Sequence, residues 1–221
     1  KEELSDGKFD RIAESFTIAN ALNQSETFSK YIFLEQRKPK GTEYFNGILH
    51  AIQNNLIITF QLNSYWAEAT QRRCVPKAIK EAQNRWYLIG YDLDREDFRN
   101  YGLDRITNFE ITSSKKATPN ININNEYKNA FGIETYGEPT TILIKFENSQ
   151  KEYIKSLPFH PSQKIVEEKN KTFIIELFML PTFDFIMEIL RFGKWVEVLK
   201  PDDFKQEVIE IINKQYKKYN K

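Results

Sequence analysis

The chain is poor in the residues that most often carry chemistry. It has one cysteine, Cys74, and two histidines, His50 and His160, in 221 residues. A single thiol excludes an intrachain disulfide and any Cys-rich zinc motif. The two histidines lie far apart and lack metal-ligand spacing, so no metal is expected. His160 sits in the proline-bracketed turn Leu157-Pro158-Phe159-His160-Pro161, which suits a capping or surface residue better than a general base. There is no Gly-x-Ser-x-Gly elbow, no phosphate-binding Gly-rich loop and no His-Glu-x-x-His helix. No catalytic residue and no cofactor is therefore expected, and an enzyme is the least supported class. No apolar run approaches the ~18 residues that a membrane-spanning helix needs. No signal peptide is legible, which points to the cytoplasm and to no membrane partner. The chain starts at Lys1 without an initiator Met, as a fragment or a processed product would. Excess charge of either sign is absent too: 32 Lys and Arg face 31 Asp and Glu. That balance excludes a uniformly basic nucleic-acid coat but leaves room for a local basic patch.

What remains is an ordinary globular composition, 40% apolar and 29% charged, long enough for one large domain or two small ones. Residues 1–42 read as a helical linker, with Phe9, Ile12 and Phe16 at rough helical spacing and a break at Pro39 and Gly41. Glu43 to Asn54 predicts a helix with Phe45, Ile48, Leu49 and Ile52 on one face, stopped by Asn54-Asn55. From Leu56 the pattern changes to about five short strands: Leu56 to Leu62, Trp66 to Val75 ended by Pro76, Trp86 to Tyr91, Phe98 to Leu103 and Asn108 to Thr112. Strands so closely spaced suggest a small barrel or sandwich. Residues 114–139, rich in Ser, Lys, Asn and Pro, read as a linker. Residues 140–221 follow the order β-α-β-β-α-β plus a final helix, Asp202 to Tyr219, with Phe204, Val208, Ile211 and Ile212 along one side; this order is ferredoxin-like.

The most informative stretch is Arg85-Trp86-Tyr87-Leu88-Ile89-Gly90-Tyr91-Asp92, followed by Phe98-Arg99-Asn100-Tyr101-Gly102-Leu103-Asp104-Arg105-Ile106. Alternation puts Trp86, Leu88 and Gly90 on one strand face and Tyr87, Ile89 and Tyr91 on the other. Trp86 and Leu88 read as core. Tyr87 reads either as barrel packing or as a surface platform for stacking and hydrogen bonding. Arg99, Tyr101 and Leu103 alternate to one side of the next strand, and Arg105 follows in a turn. Two arginines beside a tyrosine would make an anion- or nucleotide-binding patch, because the guanidinium fork suits phosphate and can stack on a base. The alternative is structural: Arg105 paired with Asp104 or Asp92, and Arg99 likewise in a surface ion pair. Asp92, Asp94 and Asp97 read as a solvated hairpin turn rather than a metal site.

These segments resemble the WYL domain family, named for the triplet that stands here as Trp86-Tyr87-Leu88. The spacing to Leu103-Asp104-Arg105-Ile106 and the upstream Val75-Pro76 add to the resemblance. So does Phe192-Gly193-Lys194-Trp195-Val196-Glu197-Val198-Leu199-Lys200-Pro201, which is similar to the end of the extension that commonly follows a WYL domain. The resemblance implies an α+β chain: an SH3- or Sm-like barrel over residues 43–113, preceded by helices and followed by a ferredoxin-like C-terminal extension. It implies the sensing part of a bacterial transcription regulator, with Tyr87, Arg99, Arg105 and Arg73 as ligand- or nucleic-acid-binding residues. The expected effector is a single-stranded nucleic acid or a phosphate-bearing small molecule. DNA would be bound through a helix-turn-helix that is not legible here, and the assembly is expected to be a homodimer. The competing expectation is a dimerisation module without a ligand, its arginines already neutralised by carboxylates.

Overall fold

A computed structural model describes residues 39–220. The helical pattern read over residues 1–38 lies outside them. A 3-10 turn, Thr42–Tyr44, leads into α1, Phe45–Asn54. This helix stops at Asn55, which takes the left-handed conformation that Asn tolerates better than most residues. Its buried face is Ile48 and Ala51, flanked by Phe45 and Ile52; Leu49, expected on that face, points outward and is exposed.

Five strands follow: β1 Leu56–Leu62, β2 Thr70–Ala82, β3 Arg85–Asp92, β4 Asp97–Gly102 and β5 Ile106–Lys115. A 3-10 turn, Leu103–Arg105, joins β4 to β5. They form one antiparallel sheet in the order β4-β3-β2-β1-β5. The expected barrel is not closed, because β4 and β5 are the two edges and do not pair with each other. The second strand also differs from expectation. Residues 66–69 are loop, and Pro76 does not end the strand. Pairing with β1 stops at Cys74, so beyond it β2 has its ladder partner on one side only. A residue without an N–H is tolerated there, and a register shift between Pro76 and Ala78 absorbs it. Ile58, Phe60, Cys74, Leu88, Tyr101, Leu103 and Ile106 pack with α1 into the core of this half, and Trp86 meets Phe45 edge to face at 4.8 Å.

A short helix, α2 Ile123–Glu126, interrupts the connection to the second sheet. Then come β6 Thr140–Glu147, α3 Lys151–Ser156, β7 Lys164–Glu168, β8 Thr172–Met179, α4 Phe183–Leu190, β9 Val196–Lys200 and α5 Asp202–Tyr219. The four strands are antiparallel in the order β7-β8-β6-β9. Ile142, Ile144, Phe146, Phe173, Ile175 and Leu177 alternate onto one sheet face. They pack there against Phe185, Ile186 and Ile189 of α4 and Phe204 and Val208 of α5. Ile212, expected on the buried side of α5, is exposed. The architecture is mixed α+β with two separate antiparallel sheets.

Candidate functional site

The β3–β4 register decides which side chains can meet. Tyr87 pairs with Gly102, Leu88 with Tyr101, Gly90 with Arg99 and Asp92 with Asp97. Paired residues point to the same side, and neighbours along a strand to opposite sides. Arg99 therefore lies on the Leu88 and Gly90 side of the sheet, and Tyr87 on the other. The expected convergence of Arg99 with Tyr87 does not occur. Arg99 instead forms an ion pair with Asp97 at 2.9 Å. Tyr101, expected beside it, is buried, and its hydroxyl donates to the buried Asp92 carboxylate. Burial alone would push the Asp92 carboxyl up. The Tyr101 hydroxyl and the backbone N–H groups of Asp94 and Arg95 more than offset that and hold it below its ordinary value.

Arg73 shares the sheet face of Tyr87, but it stands past the far end of β3, with Cys74 opposite Asp92. Its guanidinium donates to Asp94 at 2.7 Å, and this hydrogen bond and the Asp94 charge raise its pKa. Arg73 and Arg99 thus sit at the β3–β4 turn, each held by a carboxylate, away from Tyr87.

Tyr87 and Arg105 are brought together, and the reason is Gly102. A methyl group at Gly102 would stand 2.7 Å from the Asp104 carboxylate, 3.4 Å from Arg105 Nε and 3.8 Å from the Tyr87 ring. The bare backbone at this point lets three side chains close over it. Burial raises the Tyr87 hydroxyl pKa, helped by the negative charge of Asp184 and opposed by Arg85 and Arg105. Neither structural ion pair expected for Arg105 forms. Asp92 is taken by Tyr101, and Asp104 binds Arg85 at 2.7 Å and the Tyr65 hydroxyl at 3.2 Å. The Tyr65 hydroxyl and Asp104 together raise the Arg85 pKa. The Arg105 guanidinium stacks over the Tyr65 ring at 5.7 Å. Among the described residues it has no carboxylate within ion-pair distance.

Sequence reasoning missed Tyr65, Trp66 and Arg85. Trp66 is expected to open the second strand and Tyr65 to lie in the connection before it; both stand in the β1–β2 loop. Here Asn63 fastens the β1–β2 loop to the 3-10 turn, its backbone N–H and side-chain amide both donating to the Arg105 carbonyl at 2.9 and 3.2 Å. On the other flank of Tyr87, Lys80 of β2 places its ammonium over the Tyr127 ring at 5.2 Å. Burial lowers the Lys80 pKa, and Glu81 opposes the shift. Tyr127, its own hydroxyl pushed by burial up to about 12, donates to Asn100 at 2.6 Å. Asn100 in turn donates to the Ile133 carbonyl at 3.0 Å, so the connecting segment covers this face of the sheet. His160 is nearly buried and bonds Ser162 and the Lys128 carbonyl, each at 2.8 Å. No cluster suited to a metal ion occurs among the described residues, and no described helix is long and apolar enough to cross a membrane.

Residues 43–111 match the profile of the WYL domain, and residues 138–215 match that of the WCX domain. The chain carries a WYL domain followed by a WCX domain. WYL domains are found in nucleic-acid- or ligand-sensing regulators, and WYL and WCX domains are typically regulatory and non-catalytic. Among solved structures, a CRISPR Cas-related protein shares the fold at a TM-score of 0.50 and 17% identity, covering 81% of this chain and 53% of that one. Proteasome accessory factor B/C (PafBC) of Arthrobacter aurescens aligns at a TM-score of 0.35 and 16% identity, covering 86% of this chain and 29% of that one. The chain thus spans about half the length of the first structure and less of the second. The WYL triplet itself divides between two roles: Trp86 and Leu88 face the core with α1, and Tyr87 faces the site.

Proposed function

We propose that this chain is the sensing part of a cytoplasmic, DNA-binding transcription regulator, and that it binds a single-stranded nucleic acid or a phosphate-bearing small molecule beside Tyr87. The observation that carries this reading is Arg105. Its guanidinium is oriented by the Tyr65 ring, lies next to Tyr87 over the bare Gly102 backbone, and lacks a carboxylate partner among the described residues. A cation so placed can offer a phosphate two parallel N–H donors at little reorganisation cost. Arg85 adds a second guanidinium already shared with Asp104. We read the first sheet as an open SH3- or Sm-like barrel, and the second, in the order β7-β8-β6-β9, as ferredoxin-like. Binding would bias the arrangement of the whole regulator by favouring one of two states. A two-fold assembly would match pseudo-palindromic DNA sites.

The test is titration of wild type and Arg105→Ala with a nucleotide panel and short oligonucleotides, alongside thermal melting. Weaker binding without loss of folding supports the reading. A wild type that binds nothing refutes it. One observation favours the competing reading of a dimerisation module without ligand: Arg73, Arg85 and Arg99 are each already paired with a carboxylate. That reading expects a stable dimer in sedimentation together with no binding to any member of the panel.

A further inference from the structure

We infer that Trp66 is a base-stacking residue, so that the site takes a nucleotide unit, with the base on the Trp66 indole and the phosphate on Arg105. The inference rests on the reading of the Arg105 patch as an anion site and narrows its ligand. Trp66 is 94% exposed and Tyr65 beside it 65% exposed. Single exposed apolar residues are commonplace, but these two are adjacent and their loop is anchored. Asn63 ties the loop to the Arg105 carbonyl and to the Thr107 hydroxyl, and Ser64 Oγ accepts the Trp66 backbone N–H at 3.1 Å. The two rings then have different fates. Tyr65 is spent inside the patch, its ring under the Arg105 guanidinium and its hydroxyl on Asp104. Trp66 has no ring or cation partner among the described residues. The other two tryptophans differ: Trp86 packs on Phe45 and Trp195 lies under Lys194.

The chain neighbour of Tyr65, whose ring lies under the Arg105 guanidinium, is an exposed indole, so a flat apolar face and a cation without a carboxylate are carried by one anchored loop and turn. The complementary chemistry is a flat ring tethered to an anion. A nucleotide joins the two through its sugar. Stacking tolerates any base, because every base presents a π-face, so the loop would add affinity without sequence selectivity. The same unit occurs in a mononucleotide and within a single strand, and the choice of probes separates the two sources.

Wild type, Trp66→Ala, Trp66→Phe and Arg105→Ala are titrated with a short oligothymidylate, with an abasic oligomer of the same length, and with thymidine monophosphate. Trp66→Ala is expected to weaken the base-bearing probe by about 5- to 150-fold, the equivalent of ~1–3 kcal/mol for one stacked base. Trp66→Phe should recover most of that loss. The abasic oligomer should bind wild type and Trp66→Ala alike, and Arg105→Ala should weaken both oligomers. Tryptophan emission should be quenched by the base-bearing probe in wild type and not in Trp66→Phe, which keeps Trp86 and Trp195. Comparable binding of thymidine monophosphate and the oligomer would assign the unit to a small molecule, and stronger binding of the oligomer to a strand. Trp66→Ala binding the base-bearing oligomer as tightly as wild type overturns the stacking role while leaving the Arg105 site standing. A wild type that binds none of the probes overturns both.

Discussion

Tyr101→Phe removes one oxygen from the middle of the first sheet, and its cost follows from the local geometry. Tyr101 is buried, and its ring meets Phe60 edge to face at 5.1 Å, packing that a phenylalanine retains. What is lost is the hydroxyl donated to Asp92, a carboxylate with no solvent exposure. Asp92 would keep only the N–H groups of Asp94 and Arg95, at 2.9 and 3.0 Å. A hydrogen bond to a charged group contributes about 1.5–3 kcal/mol, and the remaining carboxylate oxygen has no water to replace it. For a chain of this size that corresponds to a drop in Tm of about 3–12 °C. The pH dependence has a defined sign. The folded Asp92 pKa is held below its unfolded value, so its contribution is complete above the unfolded value of ~3.9 and is lost as pH falls through the folded one. Without the Tyr101 hydroxyl the folded pKa rises. The gap between wild type and variant is therefore full at neutral pH and narrows in acid. Burial raises the Tyr101 hydroxyl pKa, which keeps it a donor across that range. The assay is thermal or urea unfolding of both proteins at neutral pH and at about pH 3, below the ordinary carboxylate value. A variant that melts with wild type at neutral pH would refute the role given to this hydrogen bond.

Gly90→Ala places a methyl group 2.9 Å from the buried Cys74 Sγ and 3.2 Å from the Val75 carbonyl. It should cost about 1–3 kcal/mol of stability by overpacking, read as a lower urea midpoint. Any side chain at Gly41 should destabilise more, because a Cβ there would lie 2.4 Å from the Leu103 backbone at a φ of +90°; circular dichroism melts would check it. Arg99→Ala should change stability by less than about 1 kcal/mol, since its pair with Asp97 is on the surface. Sedimentation equilibrium should report a dimer at tens of micromolar, roughly the range in which weak dimers form.

Which residues pack and which bind were legible to different degrees. Trp86 and Leu88 could be assigned to the core because alternation within one strand needs no knowledge of its partner. The site needed the partner. Arg99 and Tyr87 lie on opposite faces only because the turn pairs Asp92 with Asp97. A slip of one residue would have put Arg99 opposite Ile89 or Tyr91, on the face of Tyr87. Which carboxylate neutralises which arginine was equally hidden, since Asp94, Asp97 and Asp104 are all near an arginine in sequence. Asp104 is adjacent to Arg105 yet binds Arg85 across the sheet. Barrel closure depends on whether β4 and β5 pair, and strand composition does not encode that. Trp66 is expected at the start of the second strand, which begins only at Thr70, so the indole stands in the loop instead.

In the proposed function Arg105, and not Arg99, is the anion-binding arginine. The most direct measurement is fluorescence anisotropy of a labelled short oligonucleotide, with unlabelled nucleotides as competitors, on wild type, Arg105→Ala and Arg99→Ala in parallel. Arg105→Ala is expected to weaken binding by about 5- to 150-fold, or ~1–3 kcal/mol for a charged hydrogen bond, with the melting temperature retained. Arg99→Ala is expected to bind as wild type does. Equal losses in both variants, or binding unaffected by Arg105→Ala, would contradict this assignment.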